Sequence, residues 1–138
     1  MGRAEDDFAA AVRRFSEHRL PAHGWSRVLE VGAGTHAQLL EERGYRVTVA
    51  NALGAEPKGE YDVALCFDPA PLGGDPVRAA AALRPRLRTD GLLFAGPAFA
   101  ASARAIARQG FAPVGEYEAP VFRARGRLGR FLAGLSGR

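Results

Sequence analysis

At 138 residues, of which 47% are hydrophobic and 25% are charged, the chain is long enough for one globular domain with a real core. It has no run near the ~18 apolar residues that a membrane span needs, and residues 1–15 lack the apolar core of a signal peptide. The one cysteine, Cys66, has no partner for a disulfide or a zinc site. We therefore expect a cytoplasmic location, no membrane span and no metal site.

Residues 4–18 are predicted to form the first helix. Phe8, Val12 and Phe15 recur at helical spacing and define one apolar stripe, which should face a sheet. The residues that follow contain proline and glycine, which end the helix and lead into the first strand. Trp25, just before that strand, is expected to pack under the edge of the sheet.

The motif around which the chain is organised occupies residues 27–35, Arg-Val-Leu-Glu-Val-Gly-Ala-Gly-Thr. Its first five residues predict a short buried strand. Gly32 and Gly34 then allow a sharp turn and the close approach of a ligand, since neither has a Cβ atom. A helix is predicted to begin at that turn, over residues 36–43. A strand, a glycine turn and a helix N-terminus in succession are typical of a site for a nucleotide-like ligand.

The second strand is predicted at residues 45–50. Val47 and Val49 are β-branched, and we expect both to be buried. Asn51 stands at the carboxyl end of this strand. Residues 52–60 contain two glycines and a proline and therefore predict a loop.

The next strand is predicted at residues 61–67 and is followed by Asp68, the first residue of an Asp-Pro-Ala-Pro segment. A helix then begins after an expected N-cap at Asp75, with proline in its first position. It is predicted to run through a series of alanines to about residue 87, with a kink at Pro85.

The last third of the chain continues the alternation of elements. It predicts a turn at residues 89–91, a strand at 92–95, a helix at 100–109 and two strands at 111–118 and 121–125. The last two strands follow one another directly, so the final one is expected to be antiparallel.

Strands that alternate with helices predict an α/β fold, a Rossmann-like and mostly parallel sheet with helices on both faces. Ligands of such sheets bind at the carboxyl ends of the strands. Residues 32–35, Asn51, Asp68 and Gly96 all stand at such ends, so we expect them to line one rim.

Residues 121–138 carry five arginines and no acid, in a chain of net charge +4. Apolar side chains are interleaved with them, namely Leu128, Phe131, Leu132 and Leu135. The pattern suits an amphipathic contact, for which we rank a second copy of the chain first, nucleic acid second and an anionic membrane surface last. A solvated end without a partner is the alternative interpretation.

The sequence Val-Leu-Glu-Val-Gly-Ala-Gly-Thr at residues 28–35 resembles the first motif of the class I S-adenosylmethionine-dependent methyltransferases, an acid followed by Gly-x-Gly. Residues 61–65 and 87–94 are similar to the fourth and fifth strands of that family. The resemblance covers about residues 27–125. It implies one methyltransferase-like domain over residues 1–138, with S-adenosylmethionine as cofactor and a small molecule or a nucleic acid as methyl acceptor.

For the glycine turn, the resemblance implies contacts with the methionine part of the cofactor. Gly32, Ala33, Gly34 and Thr35 would pass close to that part. Glu30 would orient its amino group, directly or through water.

Two further residues receive roles from the resemblance. Asn51 would hold the ribose hydroxyls where the family usually has Asp or Glu, and its amide lacks the charge assistance of a carboxylate. Asp68 is the best-placed carboxylate for binding or deprotonating the acceptor and is the catalytic candidate. In relatives that methylate amino groups, an Asp/Asn-Pro-Pro-aromatic segment stands at the position of Asp68. The alternative interpretation is that Asp68 stabilises a stiff turn and binds no ligand.

The sequence departs from the family between the second strand and the strand at residue 61. Residues 52–60 are too few for the helix and third strand that normally stand there. The region of the third strand is therefore predicted to be shortened, and Glu56 and Glu60 are the hypotheses for the adenine contact.

Two other classes of function stay open. A methyltransferase-like module that binds a partner without catalysis would explain Asn51 and the shortened region. The segment Gly-Ala-Gly-Thr-His-Ala also fits the Gly-x-Gly-x-x-Ala fingerprint of a nicotinamide dinucleotide domain, although Asn51 is not the acid expected there. His36, beside the turn, is either a base or a polar residue of the first helical turn.

Overall fold

The computed structural model describes residues 2–18, 26–54 and 56–126. The predictions for Trp25 and for the apolar residues after 126 lie outside these ranges. The helices are α1 (Arg3–His18), α2 (Ala37–Glu42), α3 (Pro76–Leu83), α4 (Pro97–Ala100) and α5 (Ala103–Ala107). The strands are β1 (Arg27–Val31), β2 (Arg46–Ala50), β3 (Tyr61–Cys66), β4 (Leu87–Ala95), β5 (Phe111–Val114) and β6 (Val121–Ala124). Short 3₁₀ turns occupy Ala70–Leu72 and Arg84–Arg86.

The described strands form one sheet in the order β2-β1-β3-β4-β6-β5. Strands β2, β1, β3 and β4 are parallel, whereas β6 is antiparallel to both of its neighbours, β4 and β5. The expected mostly parallel sheet with an antiparallel last strand is therefore confirmed. The chain moves outward from β1 to β2 on one side and from β3 to β4 on the other, so the β1–β3 boundary is the switch point of the sheet.

Helices cover both faces of the sheet, as predicted. Along β1, Val28 joins an apolar cluster with Phe8 of α1 and Leu40 of α2, whereas Leu29 joins the opposite cluster with Leu83 of α3. This alternation follows from the two-residue period of a strand. The sheet thus has α1 and α2 on one face and α3 to α5 on the other.

Two local predictions for the helices hold. The apolar stripe of α1 is buried, with Phe8, Val12 and Phe15 each 6% exposed or less. Helix α3 begins after Asp75, whose Oδ1 accepts a hydrogen bond of 2.9 Å from the amide of Val77.

Several predicted boundaries were wrong. The helix predicted at 100–109 is two short helices, the first of which starts at Pro97, and the helix predicted to reach residue 87 ends at Leu83. The turn at 89–91 lies within β4, where the pairing with β3 shifts register and Asp90 has a φ of 67°. A bulge therefore accommodates the extra residues without ending the strand.

The segment between β2 and β3 is short, as the sequence predicts, and its described residues form neither helix nor strand. Arg86 anchors it: the guanidinium donates to the carbonyl oxygen of Gly54 at 3.1 Å and lies 3.6 Å from the Glu56 carboxylate. The amide of Gly54 and, secondarily, Arg86 hold the pKa of Glu56 below its usual value. Glu60 pairs at 2.5 Å with Arg27, at the amino end of β1, and this end of the sheet lies opposite the rim that carries the glycine turn. That position does not favour the hypothesis that Glu60 contacts the adenine.

Strand β2 lies at the edge of the described sheet, with β1 as its one neighbour. The prediction that Val49 is buried was wrong, because this side chain is 45% exposed. Its exposure follows from the shortened segment, since the described residues place no strand beyond β2. Val47, on the same side of the strand, is partly buried against the cluster of α1 and α2.

Candidate functional site

The glycine turn after β1 needs its two glycines for different reasons. Gly32 has a φ of 122° and Gly34 a φ of 79°, both in the region that side chains disfavour. A Cβ atom on Gly34 would lie 3.0 Å from Cγ2 of Val49, so this glycine allows the turn to pack on β2. A Cβ atom on Gly32 would meet nothing within 4 Å. Gly32 therefore borders open space into which a ligand can fit.

That space is a cleft of about 230 Å³ between the carboxyl ends of β1 and β3, which we call the turn cleft. It lies at the switch point, where open α/β sheets bind their ligands. Its walls combine the residues of the turn with residues of α1 and of the segment after β3: Phe8, Glu30, Val31, Gly32, Ala33, Thr35, His36, Leu65, Phe67, Asp68 and Pro71. The structure thus brings together Asp68 and most of the predicted residues of the turn.

Asn51 directly follows β2 and is exposed. The amide of Gly32 donates to the carbonyl oxygen of Ala50 at 2.9 Å, so the end of β2 is tied to the start of the glycine turn. Asn51 therefore stands on the same rim as the turn, although it does not line the turn cleft.

Glu30 is buried at the end of β1, with 4% of its surface exposed. Its two carboxylate oxygens accept hydrogen bonds from the backbone amide of His36 at 3.2 and 3.1 Å, and Oε2 lies 3.0 Å from Nδ1 of the same residue. This pairing closes the turn, because it joins a residue near the end of β1 to the residue before α2. The sequence did not reveal it, although the spacing of six residues across a two-glycine turn is compatible with such a contact.

Asp68 is exposed and follows β3 closely. Its Oδ1 accepts a hydrogen bond of 2.9 Å from the amide of Ala70, which is the geometry of a stiff turn. A carboxylate has two oxygens, and Oδ2 is not part of this bond. Asp68 therefore has a structural contact and can still act on a ligand.

The backbone of the turn offers donors. The amides of Ala33, Gly34 and Thr35 form no hydrogen bond with another group of the described chain, while the amides of Gly32 and His36 on either side are bonded. Successive unpaired amides in a turn with left-handed residues favour the binding of an anionic group. The turn can thus bind a carboxylate or a phosphate.

A second cleft, of about 460 Å³, lies between α1 and the rim, and we call it the α1 cleft. It shares five residues with the turn cleft, namely Phe8, Thr35, His36, Phe67 and Asp68, and adds Glu5, Asp6 and Ala9 of α1. The contribution of α1 was missed from the sequence, because Phe8 had a sufficient explanation as a core residue. The ring of Phe8 contacts those of His36 and Phe67, each at 5.3 Å between centroids.

Cys66 is fully buried in β3, and burial raises the pKa of its thiol to about 12. It is a core residue, and a protonated thiol is a poor nucleophile. Within the described ranges, no group of three or more His, Cys, Asp or Glu residues could hold a metal ion. No described helix is long and apolar enough to cross a membrane.

No family model matches the chain, and no curated protein does. Among solved structures, the protein bound to the Trm112 methyltransferase activator of Haloferax volcanii is 10% identical, with a TM-score of 0.61 over 89% of this chain and 92% of that one. The 1,6-didemethyltoxoflavin-N1-methyltransferase of Burkholderia thailandensis, solved with its substrate and S-adenosylhomocysteine, is 17% identical, with a TM-score of 0.54 over 85% and 80%.

The [4+2]-cyclase SpnF is also similar, with 14% identity and a TM-score of 0.54 over 78% of this chain and 59% of that one. At such identities these likenesses concern the fold. The chain has the fold of the class I S-adenosylmethionine-dependent methyltransferases, as the resemblance of its glycine motif implied. The cyclase is a reminder that one fold carries more than one chemistry.

Proposed function

We propose that the protein is an S-adenosylmethionine-dependent methyltransferase made of a single domain. The observation that carries the proposal is Gly32, which lies at the switch point of a methyltransferase-type sheet and borders open space. Its φ of 122° already favours glycine there, and because no protein atom fills the space beside it, a ligand can approach the backbone of the turn closely. The amides of residues 33–35 support an anionic group at the same place.

The residues present fit this cofactor. Gly32, Ala33, Gly34 and Thr35 would hold its methionine part, with the unpaired amides directed at the carboxylate. Asn51 would hold the ribose hydroxyls through its side-chain amide. When bound, the cofactor supplies a methyl group on a positively charged sulfur, and the protein has to align that methyl group with an acceptor and exclude water.

Glu30 stays a proposed cofactor residue, with one addition from the geometry. Its carboxylate is already bonded to His36, but a carboxylate has about four acceptor positions. A contact with the cofactor's amino group, directly or through water, is therefore compatible with the His36 pair.

Calorimetry with S-adenosylmethionine and S-adenosylhomocysteine tests the proposal. We expect binding to the wild type and its loss in Gly32→Val, because the valine side chain would enter the ligand's space. Gly59→Val is the matched control: Gly59 also has a positive φ, of 67°, and open space around its missing Cβ, but it lies in the segment before β3. Both variants place a side chain on a glycine of positive φ, and Gly32, at 122°, lies further from the left-handed region than Gly59. Circular dichroism therefore first shows that each variant is folded, and the loss of binding is then compared between folded proteins. No heat and no thermal shift with millimolar cofactor would refute the proposal.

A non-catalytic binding module is the second candidate, favoured by the shortened segment and by the amide at Asn51. Cofactor binding without turnover on a broad acceptor panel would support it, and methyl transfer at a useful rate would exclude it. A nicotinamide dinucleotide domain is the third, and titration of NAD in the same calorimeter tests it.

The methyl acceptor is proposed to be a small molecule or a nucleic acid, and a cytoplasmic location stays a prediction.

A homodimer through the C-terminal stretch is also proposed. The structure describes residues 121–126 of that stretch. Val121–Ala124 is strand β6, between β4 and β5, and Arg125 donates to the carbonyl oxygen of Ala107 at 2.7 Å. Truncation after Arg125, with the mass followed by light scattering, tests the dimer, and gel retardation at low salt tests nucleic acid.

A further inference from the structure

His36 is one of the five residues that line both clefts. It lines both the turn cleft, where the cofactor is proposed to bind, and the α1 cleft, which adjoins it. Two adjoining spaces of about 230 and 460 Å³, with a common wall, provide places for a methyl donor and for an acceptor. A group on the common wall can reach the atoms that react.

The orientation of the His36 ring is fixed by two contacts. Nδ1 lies 3.0 Å from Oε2 of Glu30, and the ring meets Phe8 edge to face at 5.3 Å. Because an ionised carboxylate can only accept a hydrogen bond, Nδ1 carries the proton in the neutral ring, and Nε2 is left with a free electron pair. A base whose other nitrogen is held by a buried carboxylate is the arrangement by which proteins activate and orient histidine.

The charges around His36 indicate what the α1 cleft accepts. The titratable groups that face this cleft are Glu5 and Asp6 from α1 and Asp68 from the end of β3, with Glu30 of β1 behind the ring. No lysine or arginine is among the described residues that line the cleft. The rings of Phe8 and Phe67 provide an apolar wall. A cationic ligand with a small apolar body fits this surface, whereas an anion would be repelled.

We propose that the methyl acceptor is a small amine bound in the α1 cleft, and that His36, positioned by Glu30, removes the proton from its ammonium group. This inference rests on the proposed methyltransferase function. An ammonium nitrogen has no electron pair with which to attack a methyl group, so it must lose a proton first. That need explains why a base stands beside a cleft whose carboxylates attract the protonated form.

The chemical step balances without another reactant. The ammonium proton passes to Nε2 of His36, and the freed electron pair on nitrogen forms the new N–C bond to the transferred methyl group. The electron pair of the broken C–S bond stays on the sulfur of the donor, which becomes a neutral thioether. The imidazolium then returns its proton to solvent at the mouth of the cleft. Glu30 keeps its contact with Nδ1 and is a positioning residue.

The test compares His36→Asn with the wild type. The asparagine amide nitrogen can replace Nδ1 as donor to Glu30 and keep the turn closed, but the variant lacks Nε2. Glu42→Gln is the matched control, because Glu42 is an exposed residue of α2 that lines neither cleft. Binding of S-adenosylhomocysteine is measured for all three proteins, and we expect it to be the same within about twofold.

Ligand class is tested by calorimetry with three probes of similar size in the presence of S-adenosylhomocysteine: 2-phenylethylamine, 4-ethylphenol and 3-phenylpropionate. We expect the amine to bind at least tenfold more tightly than the carboxylate. Equal or tighter binding of the phenol or the carboxylate would overturn the amine class. If S-adenosylhomocysteine binds but none of the three probes does, the amine proposal is overturned and the cofactor proposal stays in place.

The role of His36 is tested by two readouts that a purely structural histidine would not share. Long-range ¹H–¹⁵N correlation should show the proton on Nδ1 in the neutral ring; a proton on Nε2 would overturn the proposal. Methyl transfer to a panel of arylalkylamines should fall by roughly 10²-fold or more in His36→Asn. The residual rate of methyl transfer by His36→Asn should rise tenfold per pH unit between pH 7 and 9, because this variant can use only amine that is already deprotonated. Wild-type activity in that variant, with a wild-type pH profile, would refute the assignment.

Discussion

Strands β1 and β2 are neighbours in the sheet, yet they are packed very differently. Four of the five residues of β1 are buried, whereas β2 has no buried residue and exposes Val49. The glycine turn therefore follows a buried strand in the interior of the sheet, whereas Asn51 follows the strand at its edge. If the cofactor binds as proposed, its methionine part contacts a turn that is anchored in a buried strand. Its ribose contacts a residue at the end of an exposed edge strand.

The difference has a cause in the chain. Strand β1 lies between β2 and β3 and is covered on both faces by apolar side chains, so its sequence is apolar apart from Arg27 at its start and Glu30. Strand β2 has no neighbour on its other side among the described residues, because the segment between β2 and β3 forms no strand there. The exposed edge of the described sheet is thus a consequence of the short segment between β2 and β3.

The strongest test of the rigid centre is Gly96→Ala. A Cβ atom on Gly96 would lie 2.0 Å from the carbonyl oxygen of Phe67, a backbone atom that cannot rotate away. We expect the ends of β3 and β4 to be forced apart, at a cost beyond the ~1–3 kcal/mol of ordinary overpacking, and the variant to be largely unfolded. Circular dichroism and urea titration measure this. Gly115→Ala is the control, since that position is exposed and its Cβ would meet nothing within 4 Å; equal stability of the two variants would contradict the packing described.

A pair of truncations compares the two strands directly. Leu29→Ala, in β1, removes a fully buried side chain and should lower the free energy of unfolding by ~2–5 kcal/mol. Val49→Ala, in β2, removes a half-exposed one and should cost less than ~1 kcal/mol. Urea titration of both variants gives the two numbers. A cost for Val49→Ala as large as that for Leu29→Ala would mean that β2 is covered in solution.

Sequence patterns predicted the centre better than the edge. The apolar run of β1, the stripe of α1 and the cap at Asp75 depend on local periodicity and local hydrogen bonds, and all three hold. Val49 was misjudged because β-branching indicates a strand but not whether a neighbour covers it.

Within the site, the glycine turn was predictable because Gly-x-Gly after a buried strand has a specific backbone meaning. The Glu30–His36 pair and the wall formed by Phe8 and Phe67 were not, since each joins residues whose proximity depends on how the turn and α1 sit in three dimensions. Gly96 was placed on the rim from its position after a strand, but its contact with Phe67 needed the register of β3 and β4.

The smallest expected effect, on the ribose side, is that of Asn51→Asp. If Asn51 holds the ribose hydroxyls, a carboxylate there makes stronger, charge-assisted hydrogen bonds, worth about 1 kcal/mol more than those of an amide. That corresponds to roughly fivefold tighter binding of S-adenosylhomocysteine by calorimetry. Asn51→Ala should weaken binding instead.

Thr48→Asp controls for the added charge, because Thr48 is exposed on the same strand but stands away from its carboxyl end. If Thr48→Asp tightens binding as much as Asn51→Asp, the gain is a general charge effect and Asn51 makes no ribose contact. If only Asn51→Asp tightens binding, the edge strand contributes to the cofactor site despite its exposure. Binding on the ribose side of the proposed cofactor site can then be strengthened by one substitution at the end of β2, without a further strand beside β2.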